Sequence, residues 1–155
     1  MGEEQTIQAA LTTRFPALQD KIRVQRERRI FVDVPYADFA AVFDYIVKDM
    51  QFPILCAMTG LDQGESLGVI YHLARESGVV LNVATSVPKD KPVLQTVTSY
   101  FPAADVYERE MVDLLGMQVT GLPEGPRYPL PNDWPAGEYP LRKDWKPSNS
   151  GASQM

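Results

Sequence analysis

Proline placement constrains this chain more than any other feature of its sequence. Seven of the thirteen prolines lie at positions 123, 126, 129, 131, 135, 140 and 147. Each ring fixes φ and removes a backbone donor, so neither a helix nor a central strand survives that density. The folded body must therefore be built upstream. The sequence divides into an α/β domain over 1–121, an extended partner-binding arm over 122–147 and a flexible tail over 148–155. The arm holds both tryptophans, Trp134 and Trp145, together with Tyr128, Tyr139, Arg127, Arg142 and Lys143. These residue types anchor protein interfaces, and a proline-rich segment loses less entropy when it orders against a neighbour. The competing expectation is that the arm folds back over its own domain.

Upstream, Ile7, Leu11, Phe15 and Leu18 recur at helical spacing, with Pro16 set to end or kink the helix. Arg26-Glu27-Arg28-Arg29 reads as a solvated turn. Ile30 to Val34 reads as a strand stopped by Pro35. Phe39, Val42, Phe43, Ile46, Val47 and Met50 then form one apolar stripe of an amphipathic helix. Three β-like runs follow, Pro53 to Thr59, Leu67 to Leu73 and Val79 to Val87, separated by the turn-rich Asp62-Gln63-Gly64-Glu65 and Arg75-Glu76-Ser77-Gly78. They suggest an antiparallel meander. The expected class is α+β: a small mixed or antiparallel sheet with helices packed on it, followed by the arm.

Pro102 and Gly116 bracket a helix over Ala103 to Leu115. At 100° per residue its apolar stripe is Ala103, Ala104, Tyr107, Met111, Leu114 and Leu115. Asp105, Arg109 and Asp113 line up opposite, so Arg109 is expected between two carboxylates on a solvated face. Glu110 falls beside the apolar stripe, where a half-buried carboxylate needs a cationic or donor partner. Glu108 and Glu110 are two residues apart and point about 200° from each other, which speaks against a converging acid/base pair. His72 and Cys56, each within an apolar β-run, read as a satisfied structural histidine and a small buried hydrophobe.

Composition removes several function classes. A net charge of -5 offers no basic field for nucleic acid. No apolar run approaches the roughly 18 residues of a membrane span, and the N-terminus lacks a secretory pattern, so a cytoplasmic chain without direct membrane insertion is expected. One cysteine and one histidine cannot furnish an internal disulfide or a cysteine-rich cluster site. No cofactor, metal or catalytic group is assigned to this chain.

Tyr107-Glu108-Arg109-Glu110-Met111-Val112-Asp113-Leu114-Leu115-Gly116 resembles the signature of the thirty-kilodalton subunit family of respiratory complex I. Pro131-Asn132-Asp133-Trp134-Pro135-Ala136-Gly137-Glu138-Tyr139-Pro140-Leu141-Arg142-Lys143-Asp144 resembles the same family's terminal motif. Thr59-Gly60-Leu61-Asp62, Tyr71-His72-Leu73 and Ser99-Tyr100-Phe101-Pro102-Ala103-Ala104 are similar to further family segments. The likeness spans about residues 30 to 146. Gly121-Leu122-Pro123 replaces the Gly-His-Pro turn of complex I members, and Trp134 to Pro140 is longer; both resemble homologues in membrane-bound [NiFe] hydrogenases. The resemblance implies a hydrophilic subunit of a hetero-oligomeric membrane complex, peripheral on the cytoplasmic face. It implies docking on the large catalytic subunit near an iron–sulfur small subunit, with the nickel–iron centre and iron–sulfur clusters in those partners. The equivalent subunit of an NADH- or ferredoxin-quinone oxidoreductase, or a transient assembly factor, remains the alternative. As partner-interface or signature residues it marks Glu108, Arg109, Glu110, Asp113, Gly116, Pro123, Arg127, Pro131, Trp134, Tyr139, Pro140, Leu141, Arg142, Lys143, Asp144 and Trp145. Charged contacts from Arg142, Lys143 and Asp144, pocket-filling by Trp134 and Trp145, and a link from Arg109 or Glu110 to the arm are what it implies for their roles.

Overall fold

The computed structural model describes residues 2–147, so the expected tail over 148–155 lies outside the described residues. Helix α1 (Glu3–Arg14) buries Ile7 and Leu11; Pro16 then opens a 3-10 helix (Pro16–Lys21) that buries Leu18, so the proline ends the α-helix as its chemistry requires. Strands β1 (Ile22–Arg26) and β2 (Arg29–Asp33) pair antiparallel around Glu27-Arg28, with Arg28 at φ 61. The charged stretch is thus a hairpin turn. Its partner β1 was not legible, because only Ile22 and Val24 carry the apolar alternation while the intervening positions are Arg23, Gln25 and Arg26.

Helix α2 (Tyr36–Lys48) buries Phe39, Val42, Phe43 and Ile46, the stripe seen in the sequence. Strands β3 (Ile54–Asp62), β4 (Ser66–Ala74) and β5 (Val80–Pro88) form the expected antiparallel meander. β5 also pairs in parallel with β2, giving a five-stranded mixed sheet in the order β1-β2-β5-β4-β3. Short strands β6 (Val93–Gln95) and β7 (Gln118–Thr120) make a second, parallel pair on either side of helix α3 (Ala104–Leu115).

Register explains the layering. Val32, Val83, Tyr71 and Met58 are successive cross-strand partners, as are Ile30, Leu81 and Leu73. Because side chains alternate along each strand, these rows point to one face, where they meet Ile7, Leu11, Phe39, Phe43, Ile46, Met111 and Leu115 in a single core. Phe43 is its hub, with ring centroids 5.1 Å from Phe39, 5.3 Å from Tyr71 and 5.3 Å from Tyr100.

The opposite rows carry polar groups across the sheet. Asn82 Nδ2 donates to the Ile30 carbonyl (3.0 Å), His72 Nδ1 lies 2.5 Å from Asn82 Oδ1, and His72 Nε2 lies 2.8 Å from Thr59 Oγ1. His72 is therefore satisfied on both ring nitrogens, as expected of a structural histidine. Cys56 corrects the sequence reading: it is exposed. The β3–β4 register slips between Leu55 and Ala57, and a bulge there takes Cys56 out of the alternation that would have buried it.

Candidate partner interface

Helix α3 sets the geometry. Gly116 ends it at φ 74, and the amide N–H of Gly116 donates to Val112 O (3.1 Å), the left-handed stop that the sequence indicated. Its burial differs from expectation in its carboxylates. Glu108, outside the apolar stripe expected from the sequence, is 1% exposed. Thr96 Oγ1 donates to Glu108 Oε2 (2.6 Å) and the Val97 amide to Oε1 (2.7 Å), so the carboxylate fastens the segment after β6 to the helix. Burial raises its pKa, and those two hydrogen bonds oppose the rise. The missed signal was its place in the series Ala104, Glu108, Met111 and Leu115, which share the buried stripe.

Asp113 is likewise buried rather than solvated. Arg109 does not sit between two helical carboxylates: it pairs with Asp105 and donates from Nη2 to the carbonyl of Pro123. Asp113 meets a different set of donors. Arg127 donates from Nη2 (2.7 Å) and Nε (3.0 Å) to Asp113 Oδ1, and the Leu130 amide donates to Oδ2 (2.7 Å). One carboxylate thus holds two donors of a guanidinium and a backbone amide of the proline-rich segment, a strong charge-assisted arrangement. Glu110 is half-buried with no hydrogen bond or ion pair to a described residue, so it is Arg109, not Glu110, that reaches across to residue 123.

Residues 122–147 form no helix or strand, and their backbone groups are met in other ways. The Leu141 amide donates to Leu114 O (3.0 Å), and Arg142 Nε donates to Leu115 O (2.7 Å), supplying donors to the free carbonyls at the end of α3. The Arg142 guanidinium lies 4.9 Å from the centroid of the Tyr139 ring. That ring presses on Gly116, where a Cβ would come within 2.5 Å of it. Glycine is therefore needed twice, for the positive φ and for the close approach. The Trp134 and Trp145 rings lie 6.0 Å apart, tilted by 31°, and Trp134 Nε1 donates to the carbonyl of Glu138 (2.8 Å). Short turns link the rest: Trp134 N–H to Pro131 O, Arg142 N–H to Tyr139 O and Trp145 N–H to Arg142 O. Pro140 directly precedes Leu141 and leaves the amides that dock to its neighbours.

Asp62, in the sequence a residue of a turn and of one family-like segment, has a larger part in the structure. It is 9% exposed and accepts from the Gly64 amide (2.9 Å), the Lys143 amide (2.7 Å) and Lys89 Nζ (2.8 Å). Lys89 also lies 3.5 Å from Asp144. The Lys89 ammonium first, then the Lys143 and Gly64 amides, hold the Asp62 carboxyl far below the usual carboxylate range. Leu141, Arg142 and Tyr139 thus meet the end of α3, and Lys143 meets Asp62 at the start of the β3–β4 turn. Among the described residues no group of three or more His, Cys, Asp or Glu is placed to hold a metal ion, and no helix is long and apolar enough to cross a membrane.

The family model described as respiratory-chain NADH dehydrogenase, 30 Kd subunit, matches residues 32–150. A subunit of the F420H2 dehydrogenase of Methanosarcina mazei is 33% identical over 93% of this chain and 92% of its own length. Membrane-bound hydrogenase subunit beta of Pyrococcus furiosus is 28% identical over 94% of this chain and 88% of its own. Among solved structures, a chain of the membrane-bound sulfane sulfur reductase, an archaeal respiratory membrane complex, superposes with a TM-score of 0.81 at 29% identity, covering 94% of this chain and 86% of that one.

Removing the Asp113 carboxylate should free the segment it holds. Asp113→Ala is expected to weaken local closure by roughly 2 kcal/mol, the worth of charge-assisted hydrogen bonds, and to speed tryptic cleavage after Arg127 at least about tenfold with far-UV dichroism unchanged. Cleavage at the wild-type rate would contradict the geometry. The two shifted carboxyls give opposite pH signatures. Asp62, depressed, contributes stability that is complete above its unfolded pKa of about 3.9 and is lost as pH falls below that value. Glu108, raised, subtracts stability as pH climbs from about 4.3 through its folded value. Denaturant titrations should therefore show the wild type losing its margin over Asp62→Asn in acid and gaining on Glu108→Gln in the same direction.

Proposed function

Because the chain belongs to the respiratory-chain NADH dehydrogenase 30 kDa subunit family, we propose that it is a non-catalytic hydrophilic subunit of a membrane-bound, complex-I-like oxidoreductase of the energy-converting [NiFe] hydrogenase branch. In this reading it docks on the large catalytic subunit near the iron–sulfur small subunit, peripheral on the cytoplasmic face, and the nickel–iron centre and clusters belong to those partners. The observation that carries the proposal is the use to which the signature residues are put. Asp113, Gly116 and Arg142 hold residues 127–145 against α3, and Glu108 reaches inward to Val97. Glu108 is buried while Glu110 opens to the surface, so the two do not converge on one substrate atom. Such a network shapes a rigid surface, and its contribution to electron transfer is positional: it keeps neighbouring subunits at the separations that transfer and coupling require.

The hydrogenase relative, matched over 88% of its own length, supports that branch, and the matched chain of the archaeal respiratory complex supports membership of a membrane-bound respiratory assembly. The match to an F420H2 dehydrogenase subunit favours a second reading, in which the parent complex takes electrons from a reduced cofactor as an NADH dehydrogenase does. Affinity purification from gently solubilised membranes of the source organism, with mass spectrometry of partners and assays for nickel and hydrogen evolution, separates the two. Recovery in stoichiometric amounts with a nickel-containing large subunit and an iron–sulfur small subunit is the expected result. The same architecture without nickel, but with quinone-reductase or F420H2-oxidising activity, moves the chain to the second branch; recovery alone, or only with immature complexes, contradicts the subunit role.

A further inference from the structure

Three of the five large hydrophobic side chains exposed among the described residues gather around one stretch of α3. Val106 is one turn before Glu110 on that helix, Leu141 stands where its amide meets the helix end, and Ile54 lies two residues before Cys56, whose carbonyl accepts from the Tyr107 hydroxyl (3.3 Å). Leu141, alone of the three, lines a groove of about 230 Å³ that also takes in Met58, Tyr107, Met111 and Leu114. Glu110 opens into it, half-buried and without a hydrogen bond or ion pair to any described residue. Every other acidic residue of α3 has a cationic or donor partner: Asp105 has Arg109, Glu108 has Thr96 and Val97, and Asp113 has Arg127 and Leu130.

An apolar rim would desolvate Glu110 fully once a neighbour covers it, and a carboxylate so enclosed is tolerated only when the neighbour brings a cation. Arginine suits the groove better than lysine. Its planar guanidinium takes a carboxylate bidentately and stacks on an aromatic ring such as Tyr107, and the Met58 and Met111 thioethers adapt to its stem. We propose that this groove is the docking surface for an arginine-bearing apolar segment of the large catalytic subunit, the guanidinium closing on Glu110. This rests on the reading of the chain as a complex subunit and adds which face meets the partner. The wall formed by Leu141 exists only while residues 127–142 are docked, so the proline-rich segment helps to build the groove.

Cys56, the chain's single cysteine, is exposed beside the groove and reports on it directly. In the purified complex, maleimide alkylation of Cys56 is expected to be at least about tenfold slower than in the free chain. Glu110→Gln should release the subunit from the complex at least about tenfold faster, the scale for truncating one side of an enclosed ion pair, and Glu110→Lys faster still, with the unfolding midpoint of the free chain unchanged. A photo-crosslinking residue at Val106 should capture a large-subunit peptide containing an arginine. The inference is overturned if the complex assembles yet Cys56 reacts at the free-chain rate, if both Glu110 variants stay bound as tightly as the wild type, or if Val106 crosslinks to a second copy or to another subunit. Absence of any stoichiometric complex overturns the subunit reading itself, and this inference with it.

Discussion

A segment with prolines at 123, 126, 129, 131, 135 and 140 cannot join a sheet or continue a helix, so side chains and helix ends must supply the bonds that hold it. Asp113 is the central case. Its buried carboxylate accepts from the Arg127 guanidinium on one oxygen and the Leu130 amide on the other. Without that pair of contacts the chain between Gly121 and Leu141 has few fixed points. With them, Leu141 and Arg142 arrive at the carbonyls of Leu114 and Leu115, Tyr139 comes to rest on Gly116, and the Lys143 amide meets Asp62 on the β3–β4 turn. The geometry of residues 127–143 follows from polar groups that are satisfied inside the chain.

The carboxylates of α3 divide three tasks among them according to the direction each faces. Glu108 turns into the core and ties the segment after β6 to the helix; Asp113 gathers the proline-rich segment; Glu110 looks outward into an apolar groove. The 100° step between residues sets Glu108 about 200° from Glu110, whereas Glu110 and Asp113, about 60° apart, share one side of the helix and meet different neighbours there. An acid-rich helix therefore need not be a catalytic one. Here three of its four acids, Asp105, Glu108 and Asp113, have partners within the chain, and the fourth, Glu110, is the group that a neighbouring chain can answer.

Much of the fold was legible. The stripe from Phe39 to Met50, the three β-runs, Pro16 as a stop and Gly116 as a left-handed cap all follow from local chemistry acting over a few residues. The family was legible too, from the segment around α3 and the proline-rich stretch after it. What escaped the sequence depends on distant partners. Asp113 read as solvated because Arg127 and Leu130 lie far along the chain, and Asp62 read as a turn residue because Lys89 and Lys143 reach it only after folding. Strand β1 has two apolar side chains and needs β2 to exist, and Cys56 leaves the core through a bulge that no alternation reveals. Glu108 was the avoidable miss. Its spacing from Ala104, Met111 and Leu115 places it on the buried stripe, and its charge alone argued otherwise.

Residues 127–143 are held on their own domain before any partner arrives. Amide hydrogen exchange of the isolated chain at Leu130, Leu141 and Lys143 tests this most directly, since each of these amides donates to a fixed acceptor. If the segment is so held, all three exchange at least about tenfold more slowly than freely hydrated amides of the same sequence. Exchange at the unprotected rate would mean that the segment orders only on a partner's surface, and that no preformed interface exists.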